Sequence, residues 1–214
     1  MRLPWTNLTE RDRDILDTLA LRVRVLSVGQ IAAEWFASTA DPVKNARRRA
    51  GELASMGCVG CFPARVRPPL ELTGPLARWK PNDPAPDLKR ISGQLARRWT
   101  EPVESTLLVT ATLRSGRWLD GDGGRRPRRS EGSHDLTVAG VYLHWRRRAP
   151  AGAEWVSEAR LRRQGFGDES RLPDAMVVMD GARTVIEIGG AYSTRKLEEF
   201  HEFCWHEGLP YEIW

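Results

Sequence analysis

With 214 residues, the chain is long enough for one large domain or two small ones, and we expect two. Its composition is 41% hydrophobic and 29% charged, which excludes a chain that is disordered throughout. Lys and Arg number 33 against 28 Asp and Glu, and this formal net charge of +5 favours a polyanionic partner. Arginine runs such as 47–49, 125–126, 128–129 and 146–148 concentrate the charge, although each also fits an ordinary solvated surface.

Hydropathy and cysteine content indicate the compartment. No apolar stretch reaches the ~18 residues of a membrane-spanning helix, and the N-terminal residues lack the apolar core of a secretion signal. The three cysteines, Cys58, Cys61 and Cys204, are too few for a disulfide scaffold and fit a reducing environment. We therefore expect a cytoplasmic protein with no membrane partner.

The first predicted helix covers residues 8–22. It opens with Thr9 followed three residues later by Asp12, a shortened form of the capping box. Apolar residues then recur at helical spacing and should pack in a core: Leu8, Ile15, Leu16, Leu19 and Val23.

Two further helices are predicted directly after the first. Residues 27–36 form the second helix, with Ser27 as its N-cap. Its inward positions are Val28, Ile31, Ala32 and Trp35. Asp41 then caps a third helix over residues 42–56, which begins with a proline and stops at Gly57.

The third helix has a basic face. Its apolar stripe, which should be buried, consists of Val43, Ala46, Ala50, Leu53 and Met56. The other face then carries Lys44, Asn45, Arg48 and Arg49, with Arg47 at the boundary. Because Arg and Lys contact guanine edges or phosphates and Asn pairs with adenine, the pattern is typical of a DNA-recognition helix.

The residues after Gly57 predict two short strands around a turn at 63–69. Three helices followed by such a hairpin indicate a winged helix-turn-helix over residues 1–73. Arg65 and Arg67 would lie at the tip of the wing, where cations commonly contact backbone phosphates. A protein–protein interaction module with a surface hairpin fits the same pattern.

Residues 74–133 are less regular. Four prolines within residues 74–87 indicate a linker, Asp87 caps a predicted helix, and residues 103–113 predict a strand. The glycine- and arginine-rich residues 115–133 predict a mobile loop. This loop either contacts phosphates or is a plain polar insertion.

From His134 to the end of the chain, helices and strands are predicted to alternate. The helix that begins at His134 is followed by strands near 154–161, 174–180 and 183–190, a helix over 193–206 and a strand at 211–214. This α-β-β-β-α-β order predicts a mixed sheet flanked by helices over residues 134–214.

Acidic residues stand beside two of these strands. Pro173-Asp174 precedes the hairpin, and Glu187 lies on its second strand. This resembles the motif of restriction-endonuclease-like nucleases, Pro-Asp followed by Asp or Glu-x-Lys, and the resemblance implies that Asp174 and Glu187 hold a catalytic Mg²⁺. Asp135, on the preceding helix, matches an extra acidic metal ligand that some of these nucleases have there.

The motif lysine is missing from this chain. Glu187-Ile188-Gly189 places glycine where those nucleases have the residue that orients the attacking water. Lys196, or less favourably Arg195, begins the next helix and would have to reach back into the site. The sequence leaves open a Mg²⁺-dependent endonuclease or nickase and a nuclease-like scaffold that has lost activity and needs no cofactor.

Several stretches of the chain resemble the replication-relaxation family of plasmid and mobile-element proteins. They are LTERDRDILDTLA, ARRRAGELASMGCV, LELTGPLARW, HDLTVAGVYLHW, LPD and VIEIGGAYSTRKLEEFHEF. The resemblance implies an α+β protein, a winged helix followed by a nuclease-like domain, that binds double-stranded DNA in replication, relaxation or mobilisation. Further partners would be a second copy of the chain or other replication and mobilisation proteins. An adaptor that binds only proteins is the remaining alternative.

Overall fold

The computed structural model describes residues 8–167 and 171–214. The chain divides into two compact units: unit 1 contains the residues up to Val66 and Val103–Leu143, and unit 2 contains Arg67–Pro102 and His144–Trp214. Each unit is built from two separate stretches of chain, whereas the sequence predicts the consecutive segments 1–73, 74–133 and 134–214. Both units are α+β, as predicted for the fold class.

Unit 1 begins with the three predicted helices. They are α1 (Glu10–Asp17), which continues as a π-helical segment (Thr18–Arg22), α2 (Val28–Trp35) and α3 (Pro42–Ser55). Their N-caps are the predicted Thr9, Ser27 and Asp41, each of which accepts a hydrogen bond from the backbone N–H three residues further on. Gly57 follows α3 with a φ of 71°, as a helix-ending glycine does.

The sheet of unit 1 shows that the predicted wing hairpin at residues 63–69 is wrong. One strand, β2 (Val59–Val66), continues through Pro63 and pairs antiparallel with β4 (Glu104–Ala111). A short β1 (Leu26–Ser27) pairs with the other edge of β4, so the order is β1-β4-β2. Proline fits because β2 is an edge strand and needs no hydrogen bond on its outer side.

Two more helices belong to unit 1, α5 (Leu113–Trp118) and most of α6 (Gly132–Arg146). The prediction of a mobile loop over residues 115–133 is therefore wrong for residues 115–118, which belong to α5. The backbone after α5 is also fixed, since Asp122 N donates to Ala20 O at 2.7 Å and Gly124 N donates to Ala111 O at 2.8 Å. Gly123 is required there, because a Cβ would lie 2.2 Å from the Thr112 carbonyl oxygen.

Unit 2 has a five-stranded mixed sheet in the order β3-β8-β7-β6-β5. Its strands are β3 (Ala77–Trp79), β5 (Glu154–Ser157), β6 (Ala175–Met179), β7 (Ala182–Glu187) and β8 (Tyr211–Ile213). In this sheet β7 and β8 pair in parallel, whereas the pairs β3–β8, β5–β6 and β6–β7 are antiparallel. The helices of unit 2 are α4 (Leu88–Arg98), α7 (Glu158–Arg163) and α8 (Thr194–His206).

The core of unit 2 joins α4 and α8 to the sheet. Its buried cluster includes Ile91 and Leu95 of α4, Phe200 of α8 and Tyr211 of β8. Trp79 of β3 stacks on Tyr211 with ring centroids 5.4 Å apart, which accounts for a strand inside the predicted linker. Strand β5 is shorter than the predicted strand at 154–161, since it ends at Ser157 and α7 follows at once.

Among the residues that the structure describes, none of the helices combines the length and apolarity needed to cross a membrane.

Candidate functional site

Two carboxylates lie at neighbouring strand ends in unit 2. Asp174 immediately precedes β6, and Glu187 is the last residue of β7. These strands pair antiparallel with Ala175 opposite Ile186, so the beginning of β6 meets the end of β7. The turn between them uses Asp180 and Gly181, both with positive φ. The structure therefore brings together two of the residues that the sequence predicts as metal ligands.

Glu187 is almost completely buried, with 3% of its surface exposed. Its Oε1 accepts a hydrogen bond from Arg171 Nη2 at 2.9 Å and another from the Tyr192 hydroxyl at 3.2 Å. Burial and the neighbouring charge of Asp174 raise the pKa of Glu187 above that of an ordinary glutamate, although Arg171 and Tyr192 act in the opposite direction. A raised pKa of this origin is typical of carboxyl groups in functional sites.

Asp174 is held in place by the backbone at the end of β7. Its Oδ2 accepts a hydrogen bond of 2.7 Å from the N–H of Ile188. The chain beyond Glu187 is fixed in turn by β8, because Trp214 N donates to Glu187 O at 2.9 Å and Gly189 N donates to Trp214 O at 3.0 Å. Both carboxylates are thus positioned by the sheet.

Lys196 lies in the first turn of α8, which Ser193 caps. Its Nζ is 3.4 Å from the centroid of the Tyr192 ring, in a cation–π contact. Burial lowers the pKa of Lys196, while the charges of Glu187 and Asp174 oppose that change. The ammonium group is therefore within electrostatic reach of both carboxylates, and all three residues predicted as catalytic belong to one cluster.

Helix α4 leaves little room for a side chain at position 189, where the similar nuclease motif has lysine. A Cβ on Gly189 would lie 2.4 and 2.5 Å from the two terminal carbons of Leu95, which is fully buried. Trp99 Nε1 donates to Gly189 O at 2.9 Å and holds the same backbone from the end of α4. A lysine side chain at position 189 would have to displace this packing.

Arg171, Tyr192 and helix α4 are parts of the site that the sequence did not identify. Arg171 stands three residues before Asp174 and Tyr192 five after Glu187, so their spacing to the motif is the only signal that was available. Ser92 of α4 donates to the Tyr192 carbonyl oxygen at 2.7 Å. No local pattern connects α4 with the motif, because Ser92 and Asp174 are 82 positions apart in the chain.

Asp135, the third predicted metal ligand, lies in unit 1 near the start of α6. Its two carboxylate oxygens accept hydrogen bonds from Arg24 Nη1 at 3.3 and 3.0 Å. Within residues 8–167 and 171–214, no group of three or more His, Cys, Asp or Glu side chains is arranged to hold a metal ion. The cluster in unit 2 therefore contains two of the three predicted ligands.

The basic face predicted for α3 is present in unit 1. Ala46, Ala50 and Leu53 are buried, as predicted. Lys44, Arg47 and Arg48 are exposed, and Asn45 is half-buried. The predicted burial of Val43 is wrong, since 51% of its surface is exposed. The first turn of α3 extends beyond the surface that packs on its neighbours, so the apolar stripe begins only at Ala46.

The predicted exposure of Arg49 is also wrong. Its guanidinium binds the buried carboxylate of Asp12, with Nε 2.8 Å from Oδ1 and Nη2 2.5 Å from Oδ2. It also contacts Glu52, which pairs in addition with Arg48 at 2.5 Å. Arg49 is therefore a structural residue between α3 and α1, and the exposed cations of the helix are Lys44, Arg47 and Arg48.

Arg65 and Arg67, predicted together at a wing tip, belong to different units. Cys61 Sγ lies 3.7 Å from Ala50 O, so this side of β2 faces α3. Arg65 is four residues further along the strand, is exposed, and shares that side because side chains alternate. Arg67 lies in unit 2, where its guanidinium is 5.9 Å from the centroid of the Trp99 ring.

Comparisons of the chain with protein-family models, with curated proteins and with solved structures find no match.

Proposed function

We propose that this protein binds double-stranded DNA through unit 1, with α3 as the recognition helix of a winged helix. The observation that supports this proposal most directly is the division of α3 into a buried face, Ala46, Ala50 and Leu53, and an exposed cationic face. Three helices together with a three-stranded antiparallel sheet are the components of a winged helix. An α-helix with Lys and Arg in its N-terminal half fits the major groove.

The charges on this surface separate its structural cations from its candidate DNA contacts. Arg49 is bound to Asp12, and Arg48 is partly neutralised by Glu52. Within the described part of the chain, no carboxylate forms an ion pair with the side chains of Lys44 or Arg47. Arg65 adds a cation on the side of β2 that faces α3. Lys44, Arg47 and Arg65 are therefore the strongest candidates for contacts with DNA.

A mobility-shift assay with duplex DNA at low salt tests the proposal. We expect Lys44→Ala and Arg47→Ala each to weaken binding about tenfold, since a lost phosphate or base contact costs about 1–3 kcal/mol. Replacement of a phosphate-contacting cation should also reduce the salt dependence of binding. Arg195→Ala is the matched control, because Arg195 is 86% exposed but lies on α8 of unit 2. Absence of duplex binding, or equal loss with the control, contradicts the proposal.

The biological setting that we propose is replication, relaxation or mobilisation of a plasmid or mobile element. Its support is the resemblance of several stretches of the chain to the replication-relaxation family, of which VIEIGGAYSTRKLEEFHEF is the longest. That stretch includes Glu187 and Lys196, which lie in one cluster with Asp174 in unit 2. A DNA-binding unit combined with a unit of this kind suits a protein that acts on plasmid DNA.

The cluster of unit 2 favours a second candidate function, Mg²⁺-dependent cleavage of DNA. Asp174 and Glu187 offer carboxylate oxygens from adjacent strands, and Mg²⁺ is commonly bound by one or two carboxylates together with waters and substrate phosphate. When bound, the ion would activate water and neutralise charge on the phosphate. Around these two residues the chain runs β6, β7, α8 and β8, and this succession supports the second candidate function.

The other side chains of the cluster have definite tasks in this candidate mechanism. Tyr192 donates to Glu187 and restrains the position of this carboxylate. The Tyr192 ring also supports the ammonium of Lys196, which would hold the attacking water or the scissile phosphate in place of the missing motif lysine. Arg171, which binds Glu187, would place a second positive charge near the phosphate.

Nicking of supercoiled plasmid in the presence of Mg²⁺ or Mn²⁺ tests this second function. We expect Asp174→Asn and Lys196→Ala to lower the rate at least 100-fold while duplex binding by unit 1 is retained. Lys196→Arg, which keeps the charge, should retain more activity than Lys196→Ala. Equal nicking by wild type and Asp174→Asn shows that a contaminant cleaves the plasmid and contradicts the assignment.

A further inference from the structure

Val43 is an exposed apolar residue on an otherwise cationic surface. It lies in the first turn of α3, directly after Pro42, and 51% of its surface is exposed. A single exposed valine is unremarkable on most protein surfaces. Here its neighbours matter, because Lys44 follows it in sequence and Arg47 lies one helical turn further on, and both are exposed.

Helical geometry places Val43, Arg47 and Gly51 on one strip of α3, since residues four apart lie on the same face. The strip is open at its far end, because a Cβ on Gly51 would meet nothing within 4 Å. The adjacent arginines are engaged elsewhere, Arg48 with Glu52 and Arg49 with Asp12. The strip thus presents one apolar group and one cation in sequence, ending at a glycine that permits close approach.

This combination matches the edge of DNA base pairs in the major groove. The 5-methyl group of thymine is the apolar feature of that groove and is recognised by apolar side chains. Arginine pairs with the N7 and O6 atoms of guanine or contacts a phosphate. A hydrophobic protein partner would not be complemented by the cations of Lys44 and Arg47 beside Val43. Duplex DNA accommodates both kinds of group.

We propose that Val43 is a specificity-determining residue that contacts the methyl group of a thymine, with Arg47 contacting the adjoining guanine or phosphate. The proposal rests on the proposed duplex-binding function of unit 1 and adds a sequence preference to it. It assigns this preference to a residue whose helical position alone predicts a place in the core.

Selection from a randomised duplex pool with the full-length protein provides the probe. We expect the bound sequences to share a thymine at one position. In the selected duplex, replacement of that thymine by deoxyuridine removes only the methyl group and should weaken binding by wild type about three- to tenfold. Val43→Ser should bind the thymine and deoxyuridine duplexes equally, because the apolar contact is absent in both complexes.

Val103→Ser is the matched control, since Val103 is also an exposed valine of unit 1, at 38%, but does not lie on α3. It should discriminate thymine from deoxyuridine as wild type does, and circular dichroism should confirm that both variants are folded. The proposal is overturned if no thymine is selected, if wild type binds the two duplexes equally, or if Val43→Ser still discriminates. If neither wild type nor the variants bind duplex DNA, the proposed DNA-binding function is overturned as well. That outcome differs from loss of the Val43 assignment alone, in which wild type still binds the duplex.

Discussion

Each unit contains a buried carboxylate that is bound to an arginine, and the two pairs differ in character. Asp12 of unit 1 is 1% exposed and Glu187 of unit 2 is 3% exposed. Burial opposes ionisation of Asp12, but hydrogen bonds from Arg49 and Thr9 outweigh it and lower its pKa. Burial also opposes ionisation of Glu187, and there it prevails with the help of Asp174, so that the pKa is raised.

The difference lies in the number and charge of the partners. Asp12 accepts two hydrogen bonds from Arg49 and two from Thr9, through its backbone N–H at 2.8 Å and its hydroxyl at 2.7 Å. Glu187 accepts one from Arg171 and one from a neutral phenol, and a second carboxylate stands beside it. The Asp12 pair is complete within the protein and is structural, whereas Glu187 has fewer charged donors and a like charge beside it, an arrangement that a further cation would stabilise.

The first prediction breaks the structural pair. Arg49→Ala leaves the Asp12 carboxylate buried without its cation, and we expect the free energy of unfolding to fall by about 3 kcal/mol. Chemical denaturation near neutral pH measures the change. Arg48→Ala is the matched control on the same helix, since this side chain is 65% exposed, and it should stay within about 0.5 kcal/mol of wild type. An equal effect of the two variants would mean that the Asp12 pair is not structural.

The second prediction concerns the packing of Leu95 against Gly189, the position at which the similar nuclease motif has lysine. Gly189→Ala should destabilise the protein by about 2 kcal/mol, because its Cβ must displace the buried side chain of Leu95. Gly93→Ala on α4 is the control; a Cβ there meets nothing within 4 Å, and alanine favours helix, so stability should rise slightly. Gly189→Lys should also be destabilised, because its Cβ meets the same side chain, and normal stability of this variant would contradict the steric explanation.

The third prediction tests whether a metal ion can displace Arg171 from its carboxylate, which we do not expect for Arg49. If Arg171 and a divalent cation compete for Glu187, Arg171→Ala should bind Mn²⁺ about tenfold more tightly than wild type, a gain of about 1.4 kcal/mol. Isothermal titration of the intact protein with Mn²⁺ measures this affinity without requiring catalysis. Arg195→Ala, on the same unit but paired with Glu199, should leave it unchanged. Unchanged or weaker Mn²⁺ binding by Arg171→Ala would mean that the arginine does not compete for the site.

The sequence predicted the helices of unit 1 because their starts depend on interactions between residues close together in the chain. The caps Thr9, Ser27 and Asp41 act within three residues, and the helices that they begin are present as predicted. The partner of β2 was not predictable in this way, because Pro63 and the prolines after it indicate a turn, while the strand pairs with β4 across a long intervening segment.

The candidate site divides similarly. Asp174 and Glu187 follow a spaced motif, and they lie in one cluster with Lys196 of the next helix. Leu95 and Trp99 reach Gly189 from a segment that the sequence assigned to a separate middle region. Arg49 was placed on the wrong face of α3 because helical periodicity contains no information about a carboxylate on another helix, and Asp12 attracts it to the protein interior.

The last prediction concerns the pH dependence of the stability that the ionised Asp12 contributes. Because the pKa of Asp12 is lowered on folding, its ionised form stabilises the protein at pH values above the ordinary pKa of an aspartate, and this contribution is lost as the pH falls through the lower pKa of the folded state. Asp12→Asn should therefore be less stable than wild type by about 1 kcal/mol at pH 7, and the difference should shrink below about pH 4. Denaturation midpoints measured from pH 7 to pH 2.5 determine the trend. A difference that grows in acid would mean that the pKa of Asp12 is raised, as that of Glu187 is, and that the two pairs are not distinct.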